Sequence, residues 1–87
     1  MNPNQLAEVL RTLLDRGFAP PLVVTAVGAN GSVLVMRMTL GDEGSLNGKV
    51  VAEETDGRFL MPTNILLVDA KGEAARVTIE GESVVYN

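Results

Sequence analysis

Arg37 and Asn64 are the two side chains whose type and position point to ligand chemistry. Arg37 falls inside an apolar stretch with Val33, Met36 and Met38, where an unpaired charge is costly. A guanidinium held there suits a two-pronged grip on a carboxylate or phosphate. The structural alternatives are a cross-strand pair with a glutamate, or a stem lying on apolar surface with its head reaching water at an open edge. Asn64 follows Pro62-Thr63 and precedes the Ile65 run, so its amide could orient a substrate or satisfy the backbone at a bulge.

Other chemistry is restricted by what the chain lacks. It has no cysteine and no histidine in 87 residues. Disulfides, thiolates, the commonest general base and the commonest metal ligand are therefore excluded. Ser32, Ser45 and Ser83 have no histidine to activate them. Asp42, Glu43, Glu53, Glu54 and Asp56 could offer oxygen ligands to a hard cation from two neighbouring loops. However, Asp42-Glu43-Gly44-Ser45 lacks the alternating ligands and closing glutamate of an EF-hand, and the group reads as charged hairpin tips. Gly41, Gly44 and Gly48 precede neither a lysine-serine pair nor a helix, so they are no phosphate cradle. No cofactor, no metal and no catalytic role are expected.

Composition narrows the partners. The net charge is −4, and the seven basic residues are scattered singly. A phosphate backbone or an anionic membrane surface needs them clustered, so neither nucleic acid nor membrane is an expected partner. Apolar runs such as Ile65 to Val68 are too short to span a bilayer. The opening Asn-Pro-Asn-Gln, with acidic residues among the leucines that follow, does not read as a signal peptide. The expected location is cytoplasmic.

These residues must be positioned by a helix and a set of strands. Leu6, Val9, Leu10, Leu13 and Leu14 recur at the helical period, with Asn2 as N-cap and Pro3 at the first helical position. Gly17 should take the left-handed C′ position, with Phe18 folding back on Leu13. Pro20-Pro21 then turns the chain out. Leu22 to Gly28 and Ser32 to Leu40 flank Asn30-Gly31, read as a two-residue type I′ hairpin. That register sets Val23, Thr25 and Val27 beside Leu34, Met36 and Met38, and Leu22, Val24 and Ala26 beside Val35, Arg37 and Thr39.

Gly41 to Gly48 reads as a loop, and Lys49 to Thr55 with Arg58 to Met61 as a second hairpin about Asp56-Gly57. Pro62 marks a bulge, an edge or a strand break. Asp69 to Gly72 reads as a turn, and Glu73 to Glu80 with Glu82 to Tyr86 as the last hairpin. The expected fold is one α+β domain over residues 1–87. In it an N-terminal amphipathic helix packs on a mostly antiparallel β-meander of about five to six strands.

The hydrophobic fraction of 46% and the mean hydropathy of +0.20 exceed what so thin a core can hide. One helix can cover one face of the first hairpin, and the other face is also apolar. The expected function is a non-catalytic interaction module that self-associates as a homodimer, with Met36, Met38, Phe59 and Met61 as interface candidates. The second reading is a small-ligand-binding domain with an apolar pocket between helix and sheet, where Arg37 or Asn64 supplies the polar contact.

Overall fold

The computed structural model describes residues 3–54 and 62–86. Helix α1 spans Pro3–Asp15. It ends as its glycine demands: Gly17 takes φ +95°, its N–H donates to the Leu14 carbonyl at 3.0 Å, and the Phe18 N–H donates to Leu13 at 3.0 Å. This is the Schellman pattern, in which two carbonyls left over by the last turn find donors. Asn2, Phe59 and Met61 lie outside the described residues.

Six strands follow: β1 (Leu22–Gly28), β2 (Val33–Leu40), β3 (Leu46–Glu54), β4 (Pro62–Val68), β5 (Ala74–Glu80) and β6 (Ser83–Tyr86). They form one antiparallel sheet in the order β3-β2-β1-β4-β5-β6. The sheet is thus two three-strand meanders lying back to back, joined where β1 pairs with β4. An α+β domain with its N-terminal helix on an antiparallel meander is the result. No helix among the described residues is long and apolar enough to cross a membrane.

Helix residues Val9, Leu10 and Leu13 pack on one sheet face against Leu22, Val24, Ile65, Leu67 and Val77, all at most 1% exposed. Burying such side chains contributes about 1.5–3 kcal/mol each, which makes this layer the main source of stability. Met38 is buried with them, and Met36 packs at the margin.

The first hairpin differs from its sequence reading by one residue. Only Gly31 takes positive φ, +82°, and the loop is three residues long. It is closed by Gly28 N–H to the Ser32 carbonyl at 2.9 Å and Gly31 N–H to the Gly28 carbonyl at 3.1 Å. Val27 therefore faces Val33, and Val23 faces Arg37. A slip of one residue moves every side chain of a strand to the opposite face. Leu34, Met36 and Met38 accompany Leu22, Val24 and Ala26 under the helix, while Arg37 joins the valines on the other side.

The same loop recurs twice. Gly41 N–H donates to Ser45, and Gly44 N–H to Gly41, at 2.7 and 3.1 Å; Asp69 N–H donates to Glu73, and Gly72 N–H to Asp69, at 2.9 and 3.1 Å. Gly44 and Gly72 have φ of +77° and +86°. Each is a turn whose fourth residue must be left-handed before the strand resumes. The loop expected over 41–48 is consequently shorter, and β3 begins at Leu46 and pairs with β2 along its length. The expected partner segment of a second hairpin, Arg58 to Met61, lies outside the described residues. Pro62 opens β4, where the β1–β4 register shifts near Gly28, so the proline marks a bulge at a strand start.

Candidate functional site

The helix covers one face of the sheet, and nothing among the described residues covers the other. Alternation along the strands fixes which side chains this open face presents. One row runs Lys49, Arg37, Val23, Val68, Ala74; the next Ala52, Val35, Thr25, Leu66, Arg76; the third Glu54, Val33, Val27, Asn64, Thr78, Val85. Val23, Leu66 and Val85 are 41%, 40% and 37% exposed, and Val27, Val33 and Val35 are half-buried among them. The middle of the face is a continuous valine and leucine surface, and the charges stand around it.

Those charges are sorted along the strand direction. Arg37 lies directly opposite Lys49, and like charges so placed repel. Neither makes an ion pair among the described residues. Glu54 lies opposite Val33, at the other end of the same two strands. On β5, Arg76 precedes Glu80 by four residues on the same side, again basic first and acidic last. Both flanks carry the same polarity.

Arg37 and Asn64, the two ligand candidates from sequence, share this face but do not converge. Their β1 neighbours are Val23 and Val27, so they stand four residues, roughly 13 Å, apart along the sheet with β1 between them. The Asn64 amide is used locally: it donates to Thr63 Oγ1 at 3.3 Å and accepts from Thr78 Oγ1 at 3.5 Å. Beside it lies an open depression of about 280 Å³, with Thr25, Val27, Leu66 and Arg76 among its walls. Arg76 was not singled out from sequence. Its alternation in β5 was visible, but its nearness to Asn64 depends on the β4–β5 register, which no local signal encodes.

The other candidates separate. Met38 is a core residue rather than an interface residue, because the hairpin register turns it under the helix. It lies so close to Gly48 that a Cβ there would come within 2.8 Å of Met38 Sδ. Met36 is only partly buried. The acidic residues do not gather, since Asp42 and Glu43 flank one end of β3 while Glu53 and Glu54 end it at the other. Among the described residues, no group of three or more acidic side chains could hold a metal ion. Between helix and sheet, where the alternative ligand pocket is expected, Val9, Leu10 and Leu13 are buried with Leu22, Val24, Ile65 and Leu67.

Asp69 shows where a polar group is buried for structure. It is 6% exposed, and its carboxylate accepts from the N–H groups of Ala19, Lys71 and Glu73 at 2.8–2.9 Å. Burial alone would raise its pKa, but these three donors and the Lys71 charge outweigh that and hold it below the usual value. Lys71 Nζ donates in turn to the Gly17 carbonyl at 2.8 Å. This cluster ties the helix exit to the β4–β5 turn.

No family model matches the chain, and neither a curated protein nor a solved structure matches it.

Proposed function

We propose that this chain is a non-catalytic module that self-associates as a homodimer through the open face of its sheet. The observation that carries the reading is a broad valine and leucine surface, spanning β1, β2 and β4, with no element among the described residues over it. In projection the six-stranded face measures roughly 25 by 20 Å, about 500 Å² for a flat outline. This is the order of area that a standard interface takes from each partner, about 800 Å². Removing the apolar part from water is worth about 25 cal/mol per Å².

A second copy suits the surface because it carries both charge signs at separate ends, so the face can complement itself. Stacked sheets pack about 10 Å apart with interdigitating side chains, and β-branched residues such as Val23, Val27, Val33 and Val35 fill such a layer well. Size-exclusion chromatography with light scattering tests the reading. The expected mass is twice the 9.2 kDa of one chain at tens of micromolar. A single-chain mass at high micromolar concentration overturns it.

A further inference from the structure

We infer that the second copy stacks with its strands reversed, about a two-fold axis lying across the strands, so that Arg37 and Lys49 of each copy meet Glu54 of the other. The inference rests on the dimer reading above and specifies its geometry.

A face-to-face homodimer is isologous, so its two-fold axis lies in the plane between the sheets. An axis along the strands would keep the strand direction and lay the basic end of one copy on the basic end of the other. An axis across the strands reverses that direction. It brings Arg37 and Lys49 over Glu54, which stands four residues along β2 at the Val33 row. The same operation keeps β5 over β5 and carries Arg76 toward Glu80, the acidic residue four positions along that strand.

Both flanks therefore find opposite charges under one operation, with Val35, Thr25 and Leu66 meeting between them. Packed sheets cross at about 30°, an axis tilt of about 15° that can take up more than half of the one-row offset between the Arg37 and Arg76 rows. A carboxylate from the second copy also relieves the Arg37–Lys49 repulsion, which no ion pair among the described residues compensates. An arrangement held this way is weakened by salt as well as by substitution.

A charge swap tests the orientation. R37E/K49E and E54K are made separately, checked for a wild-type circular dichroism spectrum, and their dissociation constants measured by sedimentation equilibrium at low salt. Each homodimer should weaken about tenfold or more, because its two symmetry-related contacts between residues 37/49 and residue 54 become repulsive. Mixing the two variants should restore a heterodimer of near wild-type affinity, since both contacts are then attractive, and native mass spectrometry separates the three species. Wild-type dimer affinity in both variants, or no heterodimer on mixing, overturns the orientation while leaving the dimer standing. A monomeric wild type removes both.

Discussion

The Ala19 N–H donates to Asp69 Oδ2 at 2.8 Å, across fifty residues of sequence. Ala70 N–H completes the clasp by donating to the Ala19 carbonyl at 3.0 Å. The segment leaving the helix is thereby fixed to the turn between β4 and β5, and the helix is held at its C-terminal end over both meanders.

Asp69 should give the fold an acid-sensitive component. Its folded pKa lies below the usual 3.8, so the ionised form contributes stability that is fully present above that value. As pH falls through the folded pKa the contribution disappears. Asp69→Asn leaves an amide NH₂ or a single oxygen to serve three donors, and should lower the Tm at pH 7. Thermal melts from pH 7 to pH 2 check the sign: the wild type loses stability on acidification, and the variant loses less over the same interval.

The neighbours Leu66 and Leu67 point to opposite faces and should separate stability from assembly. Leu67 is fully buried, so Leu67→Ala should cost about 2–5 kcal/mol, a large part of what a domain of this size has. Leu66 is 40% exposed on the open face. Leu66→Ala should change the unfolding free energy of the monomer by less than about 1 kcal/mol while weakening self-association. Urea denaturation at low concentration, paired with light scattering at high concentration, reads the two effects independently.

The glycines of the three three-residue loops should behave alike. Gly31, Gly44 and Gly72 all have positive φ, and an added Cβ would meet nothing within 4 Å at any of them. Backbone strain alone should therefore make each alanine substitution cost about 1–2 kcal/mol, near-additively because the loops are separate. Gly48→Ala is the contrast. Its backbone is unstrained, and the Met38 atoms in its way are the end of a flexible side chain. Its Tm loss should be smaller than that of any loop variant.

Arg16 stacks its guanidinium 4.8 Å from the centre of the Tyr86 ring and so joins the helix end to the last strand. Arg16→Gln should cost about 0.5–1 kcal/mol. Amide exchange in β6 should quicken more than in β1, because the lost contact is made to β6 alone.

Much of this fold was legible because its signals are local. Leucine spacing marked the helix, Gly17 and Phe18 marked its end, and alternation in β5 and β6 put Val77 and Ile79 on one face with Val84 and Tyr86, as the strand pairing has them. The first hairpin shows where local signals fail. Asn30-Gly31 marked the turn, but two-residue and three-residue loops share that dipeptide, and the choice between them decides which face Arg37 occupies. The candidate site was less legible still. The pairing of β1 with β4 joins segments some forty residues apart, and only that pairing lays Leu66, Asn64 and Arg76 beside Thr25 and Val27.

The outer border of β3 limits how copies of this sheet can meet. Between the rows Val35–Ala52 and Met36–Val50, Val51 is an extra residue that breaks the even spacing of backbone donors and acceptors. Lys49, Glu53 and Glu54 put charge along the same margin, and at the far side β6 offers only four residues. Such margins resist lateral annealing into longer ribbons. The exposed valines can thus be satisfied by layering without opening a route to fibrils.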